Sequence, residues 1–595
     1  MNPSSISSTI SPVHESAQQK LSRLLAAARA VKAQEVATNT ALLANLAVTS
    51  PMIGSANNLN TLLNNTTAKA LDKYGNEITY NEQQLRFIEL ATTGKSCILI
   101  GAAGTGKTTC QRGAVTSIIQ SGHAGILQSD GHKILRDGTP GIVICSFTRR
   151  AVANIKRAIS DDMKNNCLTI HALLEYEPVY YEQYDAELGK DVKTMRFEPT
   201  RNSMRPLPSS INVCIIEESS MVSTELFQEL KDALPPNCQF IFLGDIQQLP
   251  PVFGSAILGY KLLELPTVEL TTVYRQALES PIIRLAHRIL SGKPLPASEF
   301  NEWNTPNQLT LHPWKKKLDP ENAVNTMAKF LTTAIDNKLY DPLDDMVLIP
   351  FNKACGTIEL NRKIANHLAR KNGLETHEII AGFNKHYLSV GDKVLYDKED
   401  AVITGIAING NYSGARFQPA STMLDYWGYL HSPNSPNGTD ETHTIESDED
   451  DDIDFLLSQS VALGDGEEGD RVRQASHTIT VRLNDTGHSL SIETASGINN
   501  LLLAYALTVH KAQGSEFRKV FLLLHQSHAT MIQRELLYTA VTRAKEELYV
   551  ICEPEHFIKG ILNQRIKGNT LAEKAEYFKG KITNGNDITS KEKLI

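Results

Sequence analysis

The sequence reads as an α/β protein built on parallel sheets, and three apolar runs carry that reading. Cys97-Ile-Leu-Ile100, Val213-Cys-Ile-Ile216 and Phe240-Ile-Phe-Leu243 are each short and continuously apolar, and each ends in a polar or glycine-rich turn. Runs of that length fit strands buried in a sheet. Helix-compatible segments between them favour β-α-β crossovers.

The first run leads into Gly101-Ala102-Ala103-Gly104-Thr105-Gly106-Lys107-Thr108, with a helix-compatible segment from Thr109. Gly-x-x-x-x-Gly-Lys-Thr between a strand and a helix is a phosphate-binding loop. Its glycines allow a tight turn whose backbone N–H groups face a polyphosphate, and the next helix adds the positive end of its dipole. Lys107 is expected on the β/γ-phosphates and the Thr108 hydroxyl on Mg²⁺. A nucleoside triphosphate with Mg²⁺ follows from this stretch alone.

At 595 residues the chain is long enough for two to four domains. Its 41% hydrophobic and 21% charged content is ordinary for a soluble globular protein. No run approaches a membrane span and the N-terminus lacks a secretory layout, so no membrane partner is expected. Eight cysteines without a C-x-x-C pair predict buried free thiols and a reducing, cytoplasmic compartment. The net charge of −8 conceals an asymmetry: thirteen acidic residues and no Lys or Arg lie between 440 and 470, and without them the chain carries +5. A mildly basic body permits a polyanionic partner.

In chain order, residues 1–77 form a flexible N-terminal extension in which Glu15 to Val36 is modestly amphipathic. It reads as an arm or partner-docking helix, with a transit peptide as the alternative. Gln84, about twenty residues before the loop, has an amide able to read both edges of adenine. Gly141–Thr148 is a strand followed by Arg149, Arg150, Lys156 and Arg157 on a helix, and Thr169-Ile-His171 opens another. Hydroxyls and positive charges of this kind suit phosphate contacts. Val179–Tyr184 and Val192–Phe197 flank Gly189 as a β-hairpin within 172–210. The second apolar run ends in Glu217-Glu218, one carboxylate for the Mg²⁺ shell and one to orient and deprotonate an attacking water. The third ends in Gly244-Asp-Ile-Gln-Gln248-Leu-Pro-Pro251.

In this order the motifs resemble those of superfamily 1 DNA helicases, in the RecD/Dda-type branch that moves 5′→3′ on single strands. The matching pieces are Asn81–Gln84, Gly101–Thr108, Ser146–Thr148, Thr169–His171, Glu217–Met221 and Gly244–Pro251. Val273–Gln276, Val347–Lys353 with Leu360-Asn361, Thr508–Glu516 and Leu537–Lys545 continue the series. The resemblance covers about 78 to 553 with one interruption. Glu217 departs from the Asp usual in the family, so it reaches Mg²⁺ through water or from a strand set slightly back.

The resemblance implies two RecA-like parallel-sheet domains with ATP in the cleft between them. The first is 78–275, carrying the hairpin at 172–210 as a wedge whose tip candidates are Tyr184 and Leu188. The second is 276–382 and 499–556, split by a small β-barrel insertion at 383–498 with an acidic loop at about 415–475 read as disordered. The tail 557–595 has no readable motif. Lys107, Glu217, Glu218, Gln248, Arg275 and Arg543 take the catalytic roles, the two arginines facing the cleft. Tyr274 stacks on adenine and Glu516 lies near the ribose. Thr148, His171, Thr508, His510 and Lys511 contact single-stranded DNA.

The implied activity is ATP-dependent 5′→3′ translocation with unwinding of duplex junctions, in DNA replication, recombination or repair, in a prokaryotic or phage-infected cell. A DNA-stimulated ATPase acting as a non-unwinding motor subunit is the alternative. A small-molecule phosphotransferase is disfavoured by the second-domain motifs. Asp448–Leu457, where Phe455-Leu-Leu457 follows a block of negative charge, reads as a solvated spacer, as a docking peptide or as a self-inhibitory DNA mimic. A single-strand-binding or replisome protein is the expected docking partner, through this insert or the N-terminal arm.

Overall fold

A computed structural model describes residues 79–583, apart from 127–140, 186–189, 252–254, 274–278, 315–317, 354, 383, 397–398, 411–473 and 485–486. The N-terminal extension, the acidic loop, Leu188, Tyr274 and Arg275 therefore lie outside the described residues.

Helix α1 (Glu82–Thr92) opens on a capping box: Asn81 Oδ1 accepts from Gln84 N at 2.9 Å, and Gln84 Oε1 accepts from Asn81 N at 3.0 Å. Strand β1 (Cys97–Gly101) follows, buried along its length. Ile98 and Ile100 enter one apolar cluster, Cys97 and Leu99 the other. A strand covered on both faces must be apolar throughout, which explains its unbroken run. Helix α2 (Lys107–Gln120) leaves the phosphate loop directly.

The remaining strands of this sheet are β2 (Gly125–Ile126), β3 (Gly141–Ser146), β4 (Cys167–Thr169), β7 (Ile211–Glu217), β8 (Gln239–Gly244) and β9 (Thr267–Leu270). Their order is β2-β3-β7-β8-β1-β9, with β4 also on β3, and every pairing is parallel. Helix α3 (Arg149–Ala158) follows β3, and α4 (Thr224–Ala233) lies between β7 and β8. Strands β5 (Tyr176–Asp185) and β6 (Lys190–Pro199) pair antiparallel as a separate two-stranded sheet. A short helix α5 (Ile257–Lys261) precedes β9.

The second parallel sheet comprises β10 (Leu309–Pro313), β11 (Met346–Ile349), β19 (Ala506–Thr508), β20 (Phe517–Leu524) and β21 (Ala544–Cys552) in the order β10-β21-β20-β11-β19. Helices α6 (Pro281–Leu290) and α10 (Arg534–Val541) enter the core on one face. Helices α7 (Pro320–Asp336) and α8 (Thr357–Asn372) enter it on the other.

Between α8 and β19 the chain turns antiparallel. Strands β12 (His377–Ala381) and β13 (Asn384–Leu388) pair with each other. Strands β14 (Lys393–Tyr396), β15 (Glu399–Ile408), β16 (Gln474–Leu483), β17 (Ser489–Thr494) and β18 (Leu501–Leu503) form a sheet in the order β17-β16-β15-β14-β18. Among the described residues this ladder ends at β17 and β18, in the region expected to be a small β-barrel. The apolar face is covered by Ile379, Ala381 and Leu388 and by Ala495 and Ile498 of helix α9 (Ala495–Asn499). Between β13 and β14, Ser389 N donates to Asp392 Oδ2 at 2.7 Å and closes a turn.

After β21, helix α11 (Pro554–Leu562) packs on α10, and α12 (Leu571–Thr583) returns to the first sheet. The Phe578 ring meets Tyr260 edge-on at 5.5 Å between centroids. A Cβ at Gly259 would lie 2.2 Å from Phe578 Cζ, so the close approach of α12 to α5 requires glycine there. All eight cysteines are free and buried. No helix among the described residues is long and apolar enough to cross a membrane.

Candidate nucleotide site and interdomain cleft

The phosphate loop sits at the carboxyl end of β1, in line with the carboxyl ends of β8 and β7. Gly104 and Gly106 have φ of +80° and +87°, left-handed backbone that costs an L-residue roughly 1–2 kcal/mol. Thr105 Oγ1 donates to Ala102 O at 2.8 Å and braces the turn. Lys107 Nζ donates to Gly101 O at 2.7 Å and Ala102 O at 3.4 Å, so the ammonium is folded over the loop. Thr108 is exposed and Thr109 half-buried.

Glu217 closes β7, and Glu218 follows with φ +50°. Burial first, and then the Glu218 charge, push the Glu217 carboxyl up to about 7, while Lys107 acts in the opposite sense. Glu218 Oε2, Ser220 Oγ and Gln248 Oε1 are buried without a hydrogen-bond partner among the described residues. Each orphaned acceptor costs about 1–3 kcal/mol unless something else completes it. The Thr108 hydroxyl and the Glu217 carboxylate, which lies within reach of the Lys107 charge, are hard oxygen donors of the kind Mg²⁺ takes.

The second domain meets this edge through α10. Ala103 N donates to Tyr538 Oη at 2.7 Å, and that hydroxyl donates to Asp245 Oδ2 at 2.6 Å. Leu249 N donates to Thr539 Oγ1 at 3.0 Å, and Gln513 Nε2 to Leu249 O at 2.9 Å. Arg543 is buried, its guanidinium donating to Thr539 O at 2.9 Å, Ser515 O at 3.1 Å and Thr542 Oγ1 at 3.1 Å. It is therefore held by Thr539, Ser515 and Thr542 of its own domain. Gln84 is buried with its amide oxygen spent in the α1 cap. Glu516 is exposed and pairs with Lys545 at 3.0 Å.

The residues expected on DNA are unequal. Thr148 is the N-cap of α3, its Oγ1 accepting from Ala151 N at 3.1 Å. His171 packs edge-on between Phe147 and Tyr176, with centroids 5.5 and 4.9 Å away. Thr508 is 3% exposed and its hydroxyl accepts from Lys511 N at 3.2 Å. It supports the turn that presents Lys511, which is exposed. His510 is half-buried, and burial pushes its imidazole down to about 4.

Sequence reasoning passed over Tyr538, Asp245 and Lys574. It also passed over the pairing of Arg150 with Asp400, in which Arg150 Nε donates to Asp400 Oδ2 at 3.0 Å. Tyr538 lies inside Leu537–Lys545, where its aromatic character was the available signal.

Two parallel α/β sheets with a phosphate loop on the first define a P-loop nucleotide-binding protein. A family model described as "AAA domain" matches residues 84–254, and one described as "UvrD-like helicase C-terminal domain" matches 503–551. The ATP-dependent RecD2 DNA helicase of Deinococcus radiodurans is 26% identical over 471 residues, which are 79% of this chain and 48% of that protein. The chain thus spans about half the length of that relative. The ATP-dependent DNA helicase dda of Enterobacteria phage T4 is 29% identical over 200 residues, 32% of this chain and 37% of that one. The solved Pif1 helicase from Candida albicans is 15% identical with a TM-score of 0.41, covering 85% of this chain and all of that one. The family models and the sequence relatives mark a resemblance to superfamily 1 proteins of the RecD/Dda type.

Proposed function

We propose that the protein is an ATP-dependent DNA helicase that moves 5′→3′ on single strands and opens duplex junctions, in DNA replication, recombination or repair. The observation that carries the reading is the convergence at one sheet edge of Lys107, Glu217, Glu218 and Gln248, with α10 of the second domain bonded to the loop through Ala103 and Tyr538. Lys107 exchanges its bonds to Gly101 O and Ala102 O for phosphate oxygens. Thr108 and Glu217 would hold Mg²⁺, which when bound neutralises charge on the β- and γ-phosphates. Glu218 Oε2, buried and unsatisfied, takes the proton of the attacking water, and Gln248 orients it.

Arg543 and Arg275 add positive charge as the phosphoryl group transfers, Arg543 after leaving Thr539 O and Ser515 O. An arginine supplied this way is worth about 10³–10⁵ in rate, so domain closure gates hydrolysis. Gln84 and Tyr274 flank the adenine side and Glu516 the ribose side. Thr148, His171, His510 and Lys511 lie along the DNA track, the β5–β6 hairpin serves as the wedge, and β12–β18 form an insertion in the second domain. A single-strand-binding or replisome protein is the proposed partner of the acidic insert or the N-terminal arm.

The test is ATP turnover with and without single-stranded DNA, then unwinding of duplexes with a 5′ or a 3′ tail. Stimulated turnover with unwinding of the 5′-tailed substrate is expected. Unwinding of the 3′-tailed substrate alone overturns the polarity. Stimulated turnover with no unwinding leaves a translocating motor subunit, and no turnover refutes the site.

A further inference from the structure

Two elements meet on one buried carboxylate beside the nucleotide site, and a third bonds the turn that this carboxylate shapes. Asp245 directly follows β8 and is fully buried. Its Oδ1 accepts from Gln247 N at 3.0 Å and its backbone carbonyl from Gln248 N at 3.0 Å, so the carboxylate shapes the turn that presents Gln248. Its Oδ2 accepts from the Tyr538 hydroxyl at 2.6 Å, and that oxygen accepts in turn from Ala103 N at 2.7 Å. The chain of bonds therefore runs from the phosphate loop, through a side chain of the second domain, to the turn before Gln248.

The third element is α12. Lys574 is 1% exposed, and its Nζ donates to Ile246 O at 3.4 Å, inside the same turn. Burial lowers its ammonium pKa, while the carboxylates of Glu535 and Asp245 act to raise it. Burial and the Asp245 charge hold the Tyr538 phenol far above its ordinary range, so the hydroxyl stays a donor. A lone buried carboxylate is costly, and each partner removed leaves it less satisfied. Tyr538 acts through Asp245 and Lys574 through Ile246 O, so both act through the one turn before Gln248.

We propose that Tyr538 and Lys574 are positioning residues for nucleotide hydrolysis, holding the Asp245 turn so that docking of α10 on the phosphate loop is transmitted to Gln248. The inference rests on the ATPase reading. Its effect falls on the rate at which bound ATP reacts, because Gln248 serves the water and the phosphate loop retains its other amides.

The experiment uses Tyr538→Phe, which keeps the ring, and Lys574→Met, which keeps the length. With saturating single-stranded DNA, each is expected to lower kcat about tenfold and to leave KM for ATP within about threefold. The double variant should fall no more than about threefold below the worse single one, since both act through one turn. Losses that multiply, or that appear in KM alone, overturn the proposal. If Lys574→Met does not fold, Asp245→Asn replaces it under the same criteria, because its amide oxygen still accepts from Tyr538. A second readout needs no turnover: without nucleotide, Tyr538→Phe should speed hydrogen exchange at the Ala103 amide about tenfold or more. Exchange unchanged from the parent protein overturns the tie. A parent protein that does not hydrolyse ATP refutes the ATPase reading instead, and exchange still decides whether Tyr538 holds the loop.

Discussion

Replacing Asp400 with Asn should uncouple the two domains at a point remote from the nucleotide. Arg150, on α3 of the first domain, is 9% exposed and makes a bidentate pair with Asp400 of β15, which is 26% exposed. Its Nη1 also reaches Ser515 Oγ at 3.4 Å, and its guanidinium carbon lies 5.8 Å from the Phe517 ring centroid. Two unit charges about 4 Å apart interact by about 4 kcal/mol at an effective permittivity of about 20. Solvent at Asp400 screens part of this, which leaves a coupling of about 2 kcal/mol. Asp400→Asn alone should cost about 2–3 kcal/mol, because the guanidinium remains buried without its counter-charge. Urea denaturation followed by circular dichroism on Arg150→Met, Asp400→Asn and the double variant measures the coupling directly. Single-variant losses that add within about 0.5 kcal/mol would refute the interdomain tie.

Lys107→Ala should abolish ATP turnover with the melting temperature unchanged, and near-parental DNA-stimulated turnover would remove the loop from the mechanism. Arg543→Ala should keep nucleotide affinity within a few-fold and lose about 10³ in turnover; equal losses in binding and turnover would make Arg543 a ground-state contact. Gly259→Ala sets a methyl against the Phe578 ring and should cost about 1–3 kcal/mol. Limited proteolysis should then cut near α12 sooner than in the parent, and an unchanged cleavage pattern would count against that packing. Acid stability should follow His528, whose ring accepts from His525 N at 3.1 Å, contacts Cys355 O at 3.1 Å, and is pushed down to about 3, chiefly by burial. The unfolded chain binds the proton from 6.5 downward and the folded one only near 3, so stability falls with pH across that window, by at most about 5 kcal/mol. His528→Gln should flatten that limb of a pH–melting curve, and an unaltered slope would refute it.

The parallel-sheet character and the phosphate loop were legible because both depend on short-range pattern: an apolar run, three glycines and a lysine in fixed spacing. Strand order was not, since β1 lies between β8 and β9, whose residues are more than a hundred positions away and are selected by packing. Gln84 shows a competing local reading, for Asn81-x-x-Gln84 is also a capping pattern, and in the fold the cap claims its amide oxygen. Thr508 was read for its hydroxyl, but burial turns that hydroxyl inward to the 508–511 turn. Lys574 carried no signal at all, because a lysine on a helix reads as solvated until another domain closes over it. Asp400 and Arg150, 250 positions apart, were equally invisible to local pattern.

The return of α12 to the first domain makes the second domain a span held at both ends. The chain crosses outward after β9 and crosses back before Leu571, and Ile566, Leu571, Tyr577 and Phe578 anchor the returning end in the first domain's apolar core. A body joined by one strand of chain can swing and twist in every direction. A body pinned at two separated points turns mainly about the line joining them, as a door does on two hinges. A second attachment thereby narrows the rotations open to the second domain. For the proposed translocating activity, two attachments favour repetition of the same stroke in a way that no single contact in the cleft does.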